Sequence, residues 1–424
     1  MIKKILIYVT GEMSIKAIGF LMLPVYSHLI SPNEYGILGV LNAMVAFLPF
    51  IFTFYYLYGY VRFSVQKQSV EMVSTFVAMG FVLNLFFIVI SIGLYYTILR
   101  FHYPTEFMYF LFAITATASL FIFQILQMYH RAAQMAERYL RFSLLYAVLT
   151  TLLNITLLLW IKDKVSAILL SGVFANIIVS IVAFIFMKEL IDIKQISWQL
   201  SKKVLAYTIP LVPGAIALLL YSQADKLILF QYVSAPELGI YTMAFTLGLS
   251  MSYIGSALFM SYQPMFYAHA SDNSSEKLTE GLKHTVFLLL GGLILVLIMI
   301  KVAYLLINER YAAGEPYAMI IALAYSLLAF TQLLELHLTY IQRTSIVSFV
   351  YSIGGIFNVV LLYFLVQKLG GFGASLSLLL SACSMAILMY FLAQKHYYLP
   401  YNRLIIYFYF FVIAVLFGGI IANA

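Results

Sequence analysis

Six ionisable side chains stand inside long apolar runs: Glu12, Lys16, Asp225, Lys226, Lys301 and Glu335. An ionised group at the centre of a bilayer costs about 2.5–3.5 kcal/mol on insertion scales, so such groups are kept for pairing, for ions or for charged substrates. Glu12 and Lys16 are four residues apart and share one helical face, with Tyr8 one turn earlier. At the α-helical rise, Lys16 lies roughly 15 Å into its helix, too deep to reach headgroups easily. This pattern predicts a cation facing a central water-filled cavity, held by Glu12 until an anionic substrate competes for it. The alternative is a structural ion pair between packed helices.

A second polar stripe runs through Tyr207, Pro210, Gly214, Tyr221 and Asp225. Pro210 and Pro213 remove backbone donors and should bend this helix, with Pro213-Gly214 as a hinge. Asp225 and Lys226 lie nearer the outer end, where Lys226 can snorkel. Glu335 shares a stripe with Gln332 and Thr339, and Lys301 is placed to snorkel. Arg62 closes its helix at the inner mouth, where it can meet a phosphate. The aromatic run Phe54-Tyr55-Tyr56-Leu57-Tyr58-Gly59-Tyr60 reads either as an interface belt or as a wet wall on which sugar rings stack.

The elements that carry these residues are thirteen predicted spans: 6–30, 36–60, 72–99, 107–129, 142–161, 166–187, 204–230, 238–262, 283–307, 317–340, 346–366, 372–393 and 404–421. Each is long enough to cross a hydrocarbon core of about 30 Å. With a cytoplasmic N-terminus, sixteen lysines and arginines fall in inside segments and five in outside segments, with three in spans. The bias holds from end to end, so a missed or invented helix is not hidden in the count. Lys3 and Lys4 resemble a signal-peptide n-region, but Glu12 and Lys16 interrupt the apolar stretch, and the first span is expected to be retained.

The chain also repeats. Ser31-Pro32-Asn33-Glu34-Tyr35-Gly36-Ile37 returns 203 residues later as Ser234-Ala235-Pro236-Glu237-Leu238-Gly239-Ile240. Asn154 is matched by Asn358, and Val165-Ser166-Ala167 by Phe372-Gly373-Ala374. The halves join at the polar loop 188–203. Six spans per half place both repeats in one orientation, related by an axis along the membrane normal, with a substrate path between them. The expected organisation is 1–200 and 201–396 as two six-helix bundles, with 397–424 as an unpaired C-terminal helix. The fold class is an all-α polytopic membrane protein.

Composition excludes other classes. Of 424 residues 64% are hydrophobic and 9% charged, against about 25% charged in soluble domains. The net charge of +8 is scattered over short loops and forms no basic face, so no nucleic acid is expected. The single cysteine, Cys383, lies in an apolar run, and no Cys/His metal spacing occurs. There is no Walker loop, HExxH or Gly-x-Ser-x-Gly, and no loop large enough for a membrane polymerase or glycosyltransferase. No catalytic residue, cofactor or metal is expected.

Three stretches carry a resemblance. The first span ends Leu23-Pro24-Val25-Tyr26-Ser27-His28-Leu29-Ile30-Ser31 and runs into Glu34-Tyr35-Gly36. The seventh carries Ala224-Asp225-Lys226-Leu227-Ile228-Leu229, followed by Leu238-Gly239-Ile240-Tyr241. The last connection of the second half reads Gly370-Gly371-Phe372-Gly373-Ala374-Ser375. In order and spacing, over about 1–393, these resemble the polysaccharide-exporter flippases of the MOP superfamily, the O-antigen (Wzx-type) branch in particular.

The resemblance implies two bundles around a cationic cavity. It also implies movement of an undecaprenyl-pyrophosphate-linked oligosaccharide from the inner to the outer leaflet of a bacterial plasma membrane. Lys16 and Arg62 fall where such flippases place cavity cations; Glu12, Asp225, Lys226, Tyr8 and Tyr221 complete the expected cavity. Glu12, Asp225 and Glu335 are the candidates for coupling to H+ or Na+. The partners expected are the lipid-linked oligosaccharide, an ion and membrane lipids, for a monomer. A multidrug/cation antiporter of the same fold, and a membrane polysaccharide polymerase, are the competing readings. Lys16 argues against the first and the short loops against the second.

Overall fold

The structure, a computed structural model, describes residues 18–64, 69–102, 105–271, 275–397 and 403–422. All regular elements among them are helical, and eight helical runs are long and apolar enough to cross a membrane. The chain is a multi-pass membrane protein. Its surface fits a lipid solvent. On the helix Val70–Leu94, Phe81 and Leu85 are 59% and 64% exposed, while Thr75 is fully buried and Ser74 nearly so. In water that arrangement would be inverted; in hydrocarbon the polar groups have to turn inward to find partners.

The chain divides into two compact units. The first comprises residues 1–22 and 37–219; the second comprises 23–36 and 220–424. The polar connection 188–203, read from the sequence as the junction of the halves, lies within the first unit. It is pinned there, because the backbone N–H groups of Asp192 and Ser197 donate to Ser74 Oγ (2.8 Å) and Thr75 Oγ1 (2.9 Å). These hydroxyls thereby satisfy loop donors that have no helical partner.

In the first unit, the core gathers Tyr56, Tyr60, Phe76, Phe123, Ile125 and Val204. The span expected at 36–60 is not continuous. It is the helix Pro32–Phe52, a break at 53–57, and a short helix Tyr58–Ser64. Phe54 and Tyr55 take φ of 53° and 54°, a left-handed conformation that costs a residue with a Cβ roughly 1–2 kcal/mol. Pro49 lies in the last turn of the first piece. Thr53 ties the end back through its hydroxyl to the Pro49 carbonyl at 2.6 Å. The span expected at 107–129 is likewise divided, at Leu120, into Phe107–Ser119 and Phe121–Ala132. The helix Ala136–Trp160 begins six residues before the expected 142.

The second unit shows what the sequence repeat is for. Its two copies pack on each other. A Cβ built on Gly36 would collide with the Ala235 carbonyl, and one built on Gly239 would collide with the Pro32 carbonyl. Pro32 and Ala235 occupy the same place in the two motifs, as do Gly36 and Gly239, so exchanging the copies leaves the contact unchanged. Only glycine permits backbones to approach this closely. The copies differ in their caps. Glu34 accepts from the Ser31 backbone N–H (2.8 Å) and hydroxyl (2.6 Å), a complete capping box. Glu237 instead accepts from the Gly371 backbone N–H at 3.1 Å.

That bond holds a sharp bend. The spans expected at 346–366 and 372–393 are two helices within Thr344–His396, separated by a kink at Gly370, where φ is 52° and ψ −133°. The helix Glu315–Tyr340 is almost entirely buried. The C-terminal helix Arg403–Ala422 docks on it: the Tyr409 ring stacks on Phe330 at 4.7 Å, and its hydroxyl meets Ser326 Oγ at 2.7 Å.

Candidate functional site

The break at 53–57 lines a cavity of about 420 Å³ within the first unit. In a membrane protein, backbone that leaves a helix is tolerated where it is buried in protein or borders water. The cavity wall carries Thr53, Tyr55, Tyr56 and Tyr58 from the break, Asn84 from Val70–Leu94, and Thr117 and Gln124 from the divided helix. Among the described residues no carboxylate lines it. The left-handed turn sets Tyr55 and Tyr58 face to face, with centroids 4.9 Å apart and planes inclined by 20°. The Tyr56 hydroxyl is buried and has no hydrogen-bond partner among the described residues. A water or a ligand hydroxyl would satisfy it. Asn84 donates to the Gly80 carbonyl at 2.8 Å, which fixes its amide and leaves its oxygen to accept further. The chemistry on offer is that of a neutral, polyhydroxylated ligand: aromatic faces for ring faces, and amides and hydroxyls for their edges. Arg62 is exposed on the short helix Tyr58–Ser64, one turn beyond Tyr58.

The second unit holds a different polar cluster. Asp225 is completely buried and Lys226 nearly so. The Tyr241 hydroxyl donates to Asp225 Oδ2 at 2.6 Å. Lys226 Nζ lies 3.4 Å from Asp225 Oδ1 and 3.3 Å from Gln223 Oε1, and 3.5 Å from the centroid of the Phe245 ring. The ammonium is thus held by a carboxylate, an amide and an aromatic face, the environment that makes a buried lysine tolerable. Asn358 donates to the Tyr221 carbonyl at 3.4 Å, and the Tyr221 hydroxyl donates to the Leu378 carbonyl at 3.4 Å.

Tyr8, Glu12 and Lys16 lie outside the described residues. Asp225, Lys226 and Tyr221 come together in the second unit, while Arg62 belongs to the first. Glu335 is half-buried and accepts from the Tyr351 hydroxyl at 2.6 Å. Lys301 is exposed and, with Glu315, lines a groove beside the C-terminal helix. Pro210 sits in a 3₁₀ turn, Ile209–Leu211, between the helices Trp198–Thr208 and Val212–Tyr232; Pro213 and Gly214 lie in the first turn of the second. Pro210 thus marks a change from α-helix to 3₁₀ turn within the run. Among the described residues no three His, Cys, Asp or Glu side chains gather to hold a metal ion.

Sequence reasoning missed Asn84, Thr117 and Gln124. Each is a polar residue in an otherwise apolar run, which was the available signal. It also missed Tyr241 and Phe245 as partners of the charged pair, because they are brought to it by a turn in space.

The model of the family described as polysaccharide biosynthesis protein matches residues 1–269, well over half of the chain. The chain belongs to that family. A search of curated proteins finds no match. Among solved structures, the fold is similar to the lipid II flippase MurJ in an inward closed conformation. The TM-score there is 0.73 at 11% identity, over 99% of this chain and 93% of that one. It is also similar to the MATE multidrug transporter DinF-BH, with TM-score 0.63 at 13% identity over 92% and 94% of the two chains. A third likeness is to a multidrug resistance MATE family transporter of the MOP superfamily in an inward-facing conformation. Its TM-score is 0.60 at 13% identity, over 92% of each chain. These likenesses establish a MurJ/MATE-like fold for this family member.

Proposed function

We propose that this protein is a flippase that carries an undecaprenyl-pyrophosphate-linked oligosaccharide, an O-antigen or related surface-polysaccharide unit. It carries the unit from the inner to the outer leaflet of the bacterial plasma membrane by alternating access. The observation that carries the reading is the tyrosine-stacked cavity at the 53–57 helix break, lined by no charged side chain among the described residues, in a member of the polysaccharide biosynthesis family.

Moving such a substrate requires shelter for sugars inside the hydrocarbon depth, cations for the pyrophosphate, and a lipid tail left in the bilayer. Tyr55 and Tyr58 offer ring faces to the sugars, and Asn84, Thr117 and Gln124 offer donors and acceptors. In this reading Arg62, beside that cavity, and Lys16, deep in the first span, hold the pyrophosphate. Glu12 holds Lys16 between cycles. Once phosphate captures Lys16, Glu12 is released to take a proton or Na+, which links transport to an ion gradient. Glu335 and Asp225 are the other carboxylates for this role. Asp225 is the less available of the two, because Lys226 and Tyr241 already occupy it. Pro210, Pro213 and Gly214 are the proposed hinge of the second half. The related MATE structures named above are multidrug transporters; a cation-binding pump favours carboxylates in its cavity, and none lines this one among the described residues.

Ligand binding to the purified protein tests the reading. A lipid-linked oligosaccharide should bind at least tenfold tighter than the same prenyl pyrophosphate without sugars, and Tyr55→Ala should erase that difference. Preference for a cationic dye over both lipids would overturn the proposal in favour of an antiporter.

A further inference from the structure

A second cavity of about 730 Å³ lies in the first unit, where the ends of three helices meet. The helix Phe121–Ala132 ends there, Ala136–Trp160 begins there, and Lys164–Met187 ends there. It shares no lining residue with the cavity at the helix break. On Phe121–Ala132 it uses Leu126, Tyr129 and His130, whereas the other uses Gln124 and Met128, so the two open on different faces of one helix.

Its wall is divided by chemistry. At the polar end stand Arg138 and Arg141, one turn apart and both exposed, together with His130 and Glu189. Much of the rest of the wall is apolar, with Leu145 and Phe186 46% and 65% exposed. Neither guanidinium is committed to a tight partner. Arg141 is 3.9 Å from Glu137 with both side chains largely exposed. Arg138 donates to Met135 Sδ at 3.8 Å and forms no ion pair among the described residues. Glu189 is the one carboxylate on the wall, so the lining keeps an excess of positive charge.

We propose that this cavity binds an anionic phospholipid, with the headgroup phosphate between Arg138 and Arg141 and the acyl chains along Leu145 and Phe186. Guanidinium groups suit a phosphate because their planar fork donates two parallel hydrogen bonds. Basic pockets between transmembrane helices at the charged face of a membrane are where acidic headgroups bind. The apolar wall decides between sources of phosphate: a soluble phosphate has no use for exposed Leu145 and Phe186, whereas a lipid covers them. The site is on a different face from the transport cavity, so the inference does not depend on the proposed substrate.

The test uses the full-length protein, delipidated in a neutral detergent and titrated with phosphatidylglycerol, phosphatidylcholine or soluble glycerol phosphate. Binding is read by the rise in the unfolding midpoint, since a ligand of the native state stabilises it. The wild type should bind phosphatidylglycerol at least tenfold tighter than phosphatidylcholine. Arg138→Gln/Arg141→Gln, both at exposed positions, should lose that preference while its lipid-free midpoint stays near the wild-type value. Leu145→Trp, which keeps both arginines and fills the wall, should weaken phosphatidylglycerol binding as well. An unchanged preference in the double variant would overturn the proposal, as would no preference in the wild type. Glycerol phosphate displacing the lipid at equal concentration would also overturn it, because the site would then serve a free anion.

Discussion

The reciprocal contact between the two sequence repeats can be tested by a double-mutant cycle. In Gly36→Ala the new methyl meets the Ala235 carbonyl, and in Gly239→Ala it meets the Pro32 carbonyl. Each collision needs about 1 Å of extra clearance, and overpacking of this kind costs about 1–3 kcal/mol. Both collisions are relieved by one movement, the separation of the same two helix starts. The double variant should therefore cost about as much as the worse single variant, not the sum. With each single at about 2 kcal/mol, the cycle should show a coupling near 2 kcal/mol, well above the roughly 0.3–0.5 kcal/mol scatter of independent sites. SDS-driven unfolding of the purified protein in mixed micelles, followed by the folded fraction, measures all four corners. Costs that add would refute the shared displacement, and two alanine variants as stable as the wild type would refute the close approach itself.

Three further outcomes follow from the same structure. Lys226→Met strands the buried Asp225 carboxylate and Asp225→Leu strands the ammonium, so each should destabilise by about 3–5 kcal/mol. The double replacement should recover most of that loss in the same unfolding assay, short of the wild type by about 1–3 kcal/mol for a Tyr241 hydroxyl left without its acceptor. Gly370→Ala places a Cβ against Glu237 Oε1 at a φ of 52° and should cost about 2 kcal/mol or more; a variant of wild-type stability would show that the bend does not need glycine. Lys16→Ala should abolish polysaccharide export at normal protein levels while Lys16→Arg retains part of it; full export by the alanine variant would remove Lys16 from the transport path.

What could be read from the sequence follows the physics that sets each feature. The spans were legible because hydrocarbon demands long apolar runs. The two matched motifs were legible because a helix start and a close backbone approach restrict residue choice to serine caps and glycine. That they touch was not legible, since contact depends on how the helices are carried. Gly370-Gly371 marked the boundary between two helices correctly, and the backbone turns there at Gly370, a glycine of positive φ. The break at 53–57 was hidden for a different reason. Its left-handed residues are Phe54 and Tyr55, and neither type announces that conformation, so the run looked like the end of a regular helix. The tyrosine density is plain in the sequence; the cavity behind it requires Asn84, Thr117 and Gln124 from other helices. Asp225 and Lys226 stood out by their charge, while Tyr241, sixteen residues on, becomes their partner only after the chain turns at Val233 and Ser234.

The central claim is leaflet-to-leaflet movement of a lipid-linked sugar, and one measurement addresses it most directly. Purified protein is placed in vesicles that carry a fluorescent undecaprenyl-pyrophosphate oligosaccharide in both leaflets, and a membrane-impermeant quencher reports how fast the protected label becomes accessible. The account predicts rapid loss of the protected fraction with the wild type. It predicts an at least tenfold slower loss with Tyr55→Ala, and acceleration when a proton or Na+ gradient is imposed. A protected fraction as long-lived with the protein as in empty vesicles, gradient or not, would contradict it.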